Sequence, residues 1–140
     1  MLCPVNNKNT MKIACEIVSA LKRYGVDAKL YDVEDKSAVI ALNTSDALIL
    51  GTPTINKNAS KAIWRLLSEA DAVNLKGKPY FVFGSYGWSG EGPELVHRFL
   101  SQLRMRPFAK PLSIVFTPSD SDIKHISEYA ARFAERLKNI

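Results

Sequence analysis

The 140-residue sequence predicts an α/β fold, a single domain (1–140) of three layers with a parallel sheet between helices. Two observations carry the expectation. Segments with a helical apolar period alternate with short strand-like segments, which implies βαβ units with right-handed crossovers. Two of those segments, "DALILGTP" (46–53) and "KPYFVFGS" (78–85), are compact apolar runs, as strands buried on both faces are.

The elements follow in order. "NTMKIACEIVSALKRYG" (9–25) has apolar residues at 11, 13, 14, 17, 18 and 21 and reads as a helix ended by Gly25. "AKLYDV" (28–33) alternates as a strand does, and "DKSAVIALNTS" is a short helix or turn. A strand over 46–53 is closed by Gly51-Thr52-Pro53. "SKAIWRLLSEA" (60–70) is helical, 78–85 is a buried strand, and 91–105 is a helix that tolerates Pro93 in its first turn. "KPLSIVFTP" (110–118) is a strand, and Asp120 or Asp122 can cap the last helix. No repeat, linker or low-complexity tract interrupts this pattern.

Composition excludes several classes. With 46% hydrophobic and 24% charged residues the chain reads as an ordinary globule rather than a disordered one. No apolar run approaches the roughly 20 residues of a membrane helix. The N-terminus lacks a secretory apolar region, so the cytoplasm is the expected setting, with Cys3 and Cys15 as free thiols. The net charge of +5 is spread over helix faces beside acidic residues, which argues against nucleic acid as a partner. His97 and His125 stand on helix surfaces with no carboxylate cluster beside them, so no metal site is expected. A C-x5-R phosphatase loop would start at Cys3, but position 9 is Asn, not Arg. A receiver domain would need acidic strand ends that Asp32 and Asp46 do not supply. No catalytic residue is therefore identified.

Open parallel sheets bind ligands beyond the carboxyl ends of their strands. Three loops fall there: "PVNNKNT" (4–10), "TPTINKN" (52–58) and "SYGWSGEG" (85–92). The first opens a helix, whose free N–H groups and dipole suit a phosphate, with Asn6, Asn7, Asn9 and Thr10 as further donors. Plain helix capping by Asn9 or Thr10 is the competing reading. The second is a stiff turn with hydroxyls and Asn56 for polar ring edges. In the third, Gly84, Gly87 and Gly90 admit a close ligand, and Tyr86 and Trp88 offer flat faces for stacking. Together they suit a phosphorylated planar heterocycle.

"LILGTPTIN" followed by "KGKPYFVFGSYGWSGEG" resembles the flavodoxin-like domain of the A-type flavoproteins, or flavodiiron proteins. The resemblance implies a flavodoxin-like fold, a five-stranded parallel sheet of order 2-1-3-4-5, and bound FMN. It implies that Thr52, Pro53, Thr54, Ile55 and Asn56 line the isoalloxazine, and that Ser85, Tyr86, Gly87, Trp88 and Gly90 form the second wall. Asn9 and Thr10 match the end of the phosphate loop, to which Asn7 and Lys8 also belong. The loop departs from the family where Val5 replaces Ser or Thr and Lys8 replaces Gly. Only Met1–Cys3 precede it, so the first strand is expected to be short or missing, with little discrimination between FMN and riboflavin. The implied role is electron transfer to a redox partner protein or a di-iron partner domain, in a monomer or homo-oligomer. The alternative is a flavodoxin-like module without FMN that serves as a structural or docking domain.

Overall fold

The computed structural model describes residues 2–3, 8–86, 90–115 and 118–138, with side chains from Asn9 onward. Short β1 (Leu2–Cys3) leads into α1 (Lys8–Arg23), then β2 (Tyr31–Asp32), α2 (Lys36–Thr44) and β3 (Leu48–Gly51). A small hairpin, β4 (Thr54–Ile55) and β5 (Asn58–Ala59), precedes α3 (Lys61–Leu67) and α4 (Ala72–Leu75). The long strand β6 (Pro79–Tyr86) is followed by α5 (Glu91–Gln102), β7 (Arg106–Pro107), β8 (Leu112–Val115) and α6 (Asp120–Lys138).

The main sheet runs β2-β1-β3-β6 and ends in β7 and β8, which both pair with β6; every pairing is parallel. The expected order 2-1-3-4-5 is thus recognisable, but its fifth strand comes in two pieces. Arg106–Pro107 lie beside Pro79–Tyr80, and Leu112–Val115 lie beside Phe83–Tyr86. The first strand is present, with Leu2 between Tyr31 and Leu50.

Period-two alternation sends β3 and β6 side chains into two cores. Leu48, Leu50, Tyr80 and Val82 pack with Leu42, Ile63, Leu66 and Leu100 from the helices of one face. Ile49, Phe81 and Phe83 pack with Ile13, Ile17, Leu21 of α1 and Ile126, Ala130, Phe133 of α6 on the other. Burying a side chain such as Phe81 is worth about 1.5–3 kcal/mol, so these central strands anchor the fold. Gly25, at φ +80°, closes α1 in a left-handed turn: Val26 N–H donates to Leu21 O (3.0 Å) and Gly25 N–H to Lys22 O (3.1 Å).

Three expectations need correction. The strand predicted over 28–33 is paired, among the described residues, only at Tyr31–Asp32, opposite Leu2–Cys3 of β1. The last helix is capped from Ser119, whose Oγ accepts from Asp122 N (3.2 Å), while Asp122 Oδ2 accepts from Ser119 N (2.9 Å). This reciprocal bonding holds the Asp122 carboxyl below its ordinary range. Residues 54–59 are a hairpin rather than a simple turn.

Candidate functional site: three loops at the carboxyl edge of the sheet

The described parts of the three loops, residues 8–10, 52–58, 85–86 and 90–92, are joined beyond the carboxyl ends of β3 and β6. Two side-chain hydrogen bonds fasten them together. Thr10 Oγ1 and Ser85 Oγ are 2.8 Å apart and both residues are buried, which joins the start of α1 to the end of β6. Thr54 Oγ1 accepts from Gly92 N at 2.9 Å, which joins the hairpin to the first turn of α5.

The second loop is built for stiffness. Thr52 is fully buried; its Oγ1 donates to Pro53 O (2.9 Å) and accepts from Ser60 N (3.1 Å), while its own N–H donates to Phe83 O (3.1 Å). Ser60 in turn caps α3 by accepting from Ile63 N (3.3 Å). Thr52 therefore braces the loop from within, and Pro53 is buried beside it. Beyond them Thr54 is half-buried, and Ile55 is 53% exposed at the rim. The hairpin turns through Asn56 (φ 50°) and Lys57 (φ 62°), both left-handed, as a two-residue type I′ turn requires. Trp64 Nε1 donates to Asn58 Oδ1 (3.0 Å), so α3 supports the far strand of the hairpin.

In the third loop Tyr86 is half-buried and its ring lies over Gly90, the residue that precedes α5. A Cβ at Gly90 would stand 3.2 Å from Tyr86 Cε1. The glycine admits the tyrosine ring and sets it at the mouth of the site. Gly84 has a different role from the ligand approach expected of it. A Cβ there would overlap the Thr52 carbonyl oxygen and come 2.7 Å from Pro93 Cγ, so the chain's own loops make the close approach. Gly92 works likewise: a Cβ would fall 2.8 Å from Thr54 Oγ1 and 2.9 Å from Pro53 O.

In the first loop, Lys8 and Asn9 open α1 and Asn9 is half-exposed, while the Thr10 side chain is turned inward to Ser85. Asn7, Gly87 and Trp88 lie outside the described residues. Sequence reasoning passed over Ser60, Asn58, Trp64 and Gly92, which hold the loops rather than line them. One of these was signalled: Ser60 before an apolar helical run marks a cap.

Among the described residues, no group of His, Cys, Asp and Glu could hold a metal ion, and no helix is long and apolar enough to cross a membrane. The arrangement suits a flat aromatic ligand at its rim. Thr54, Ile55 and Asn56 form one lip, Tyr86 on Gly90 forms the other, and the amino end of α1, tied to the end of β6 through Thr10 and Ser85, carries the positive end of the helix dipole that suits an anion. The residues present fit FMN in that sense.

Comparison with known proteins gives the same picture. The flavodoxin family model matches residues 7–129. The flavo-diiron protein FprA2 of Clostridium acetobutylicum is 40% identical over 136 residues, 92% of this chain and 34% of that protein. The type A flavoprotein fprA of Rhodobacter capsulatus is 35% identical over 115 residues, 80% of this chain and 26% of that protein. The chain thus spans about a third or less of the length of these relatives. A flavodoxin from the domain Archaea superposes with a TM-score of 0.89 at 24% identity, covering 98% of this chain and 96% of that one. The chain belongs to the flavodoxin family, and within it to the FMN-binding, flavodoxin-like modules of the A-type flavoproteins.

Proposed function

We propose that this module carries electrons through an FMN held at the three-loop edge and exchanges them with a redox partner protein or a di-iron partner domain. The observation that carries the reading is the bond between Thr54 Oγ1 and Gly92 N, which sets the two ring-facing loops at a fixed spacing before any ligand arrives. When bound, FMN supplies the redox chemistry; the protein supplies position and surroundings. Thr54, Ile55 and Asn56 would hold one side of the ring system and Tyr86, Gly87, Trp88 and Gly90 the other. Thr52, Pro53 and Ser85 would act mainly by bracing those walls. The phosphate would meet Asn7, Lys8, Asn9 and the N–H groups that open α1, with Thr10 fixing that helix end to Ser85. The exposed, unbridged Cys15 suits a reducing cytoplasmic setting, and residues 1–140 act as a single flavodoxin-like unit.

The test is a titration of the purified protein with FMN, followed by flavin fluorescence and visible absorption. One-to-one binding is expected. Absence of quenching at micromolar flavin would overturn the reading and leave a docking module without cofactor. Stacking on an aromatic platform is worth about 0.5–1.5 kcal/mol beyond area burial, so Trp88→Ala and Tyr86→Ala should each weaken binding several-fold. Riboflavin should bind within about tenfold of FMN, equivalent to ~1.4 kcal/mol, because Val5 and Lys8 depart from the usual phosphate loop.

A further inference from the structure

Helices α1 and α5 end in the same hydrogen-bonded turn, filled by different residues. At the end of α1, Val26 N–H donates to Leu21 O and Gly25 N–H to Lys22 O, with Gly25 at φ +80°. At the end of α5, Met105 N–H donates to Leu100 O (3.3 Å) and Arg104 N–H to Ser101 O (3.0 Å), with Arg104 at φ +63°. Glycine reaches that conformation without steric cost, whereas an arginine is strained in it. The Arg104 side chain is exposed and pairs with no acid among the described residues. A strained residue kept at an exposed turn points to a use for its side chain.

Arg104 stands among other cations. Gly77 N–H donates to Arg104 O (2.9 Å) and Arg106 N–H to Lys78 O (2.9 Å), so residues 76–78 and 104–106 run side by side, about 5 Å apart. Lys76, Lys78, Arg104 and Arg106 are thus neighbours, and none of the four forms an ion pair among the described residues. The sequence supplies no acid locally: neither 72–90 nor 95–119 contains Asp or Glu. In the sheet order β1-β3-β6-β7 this corner is three strands from β1. The 8-residue β6 also puts about 23 Å between it and the flavin loops.

We propose that this corner docks a carboxylate-rich segment of a separate partner protein, with Arg104 and Arg106 as the residues that bind the carboxylates. Each guanidinium offers a planar fork to a carboxylate, and Lys76 and Lys78 add charge beside them. The surface is charged rather than apolar: the exposed large hydrophobics Tyr24, Ile40, Ile55, Val73 and Val115 all lie outside residues 74–79 and 97–111. A permanent interface with another part of the same polypeptide would bury an apolar core. A hydrated cationic corner instead serves a partner that comes and goes, drawn by charge and released by salt. Four cations on two short segments match a few carboxylates rather than the long phosphate backbone of a nucleic acid.

The test uses the whole chain and a fluorescein-labelled octapeptide of alternating Asp and Glu, read by fluorescence anisotropy. Binding is expected in about 20 mM salt, and at least about tenfold weaker in about 200 mM. Arg104→Gly should weaken it at least about threefold while raising the thermal midpoint by about 2–4 °C, since the turn is relieved as the contact is lost. Arg104→Gly combined with Arg106→Gln should weaken it at least about tenfold. Lys36→Gln combined with Arg65→Gln removes as much charge from the α2–α3 face and should leave it within about twofold. The FMN titration should be unchanged in all three, which separates this proposal from the flavin reading. No binding at low salt, equal loss in the Lys36 and Arg65 variant, or a thermal midpoint lowered by Arg104→Gly would overturn it. So would tighter binding of a single-stranded oligodeoxynucleotide of equal charge, which would make the surface a nucleic-acid site.

Discussion

Gly92→Ala is the most direct perturbation of the loop junction. The new Cβ would lie 2.8 Å from Thr54 Oγ1 and 2.9 Å from the Pro53 carbonyl oxygen, with Thr54 Cα at 3.3 Å. Two of these neighbours are backbone, so the hairpin itself must retreat by about half an ångström to reach ordinary contact. Overpacking of this kind costs about 1–3 kcal/mol. The strained 2.9 Å bond from Gly92 N to Thr54 Oγ1 adds about 1 kcal/mol if it breaks. Ala is the better helix former by at most about 1 kcal/mol, and less in a first turn. The net expectation is a loss of about 1–3 kcal/mol. Urea denaturation would show it as a midpoint lowered by about 1 M, given a slope of about 1–3 kcal/mol/M for a small protein. FMN affinity should fall about fivefold or more, as re-forming the lip costs about 1 kcal/mol or more of binding energy. Thr54→Val removes the acceptor without the overlap, so its stability loss should be near the bond alone. Gly92→Ala within about 0.5 kcal/mol of the parent, with unchanged flavin affinity, would refute the claim that contact at this junction sets the spacing of the loops.

Three further outcomes are expected. A double-mutant cycle of Thr10→Val and Ser85→Ala should give a coupling of about 0.5–1.5 kcal/mol in denaturation, and coupling near zero would mean their 2.8 Å contact contributes nothing. Lys57→Gly relieves a left-handed residue at about 1–2 kcal/mol while loosening the unfolded chain by about 0.4–1, so the melting temperature should rise; a fall would contradict the turn geometry. Burial pushes the Tyr129 hydroxyl up to about 12 from 10.0, so the folded state favours the protonated phenol. Its stabilisation should be complete below pH 10 and lost as pH rises toward 12, and phenolate absorbance appearing with the exposed tyrosines instead would contradict this.

Much of the architecture was legible because it rests on strong, local signals. The helical stripe through Ile13, Ile17 and Leu21 and the apolar runs 48–51 and 79–83 fix two layers and the central strands. The pairs β4–β5 and β7 were not, since two-residue strands depend on partners rather than on periodicity. The strand expected at 28–33 shows the converse: its alternation persists in Val26, Ala28 and Leu30, before the Tyr31–Asp32 pairing with β1. At the candidate site, the sequence located segments whose described parts are joined by the Thr10–Ser85 and Thr54–Gly92 bonds. It could not tell a buried brace from a residue nearer the surface, because Thr52 and Thr54 have the same chemistry and differ only in burial. Glycine was ambiguous for the same reason. Gly84 and Gly92 leave room for the chain's own backbone, a distinction that appears only when β3, β6 and α5 are packed together.

The broken fifth strand bears on how this molecule behaves in a crowded solution. An uninterrupted outer edge would present a row of unpaired N–H and C=O groups on which another sheet could grow. Here that edge is divided between Arg106–Pro107 and Leu112–Val115, with Pro111 and Lys110 in the gap. Pro107 has no N–H to offer, and the interval between the pieces prevents a long continuous register. The side chain of Phe108 is spent inside, edge-on to Phe133 and Tyr129 at 5.1 and 5.3 Å, so the gap is anchored rather than loose. Joining the two pieces into one regular strand would add ladder bonds to β6, and it would also create a template for aggregation.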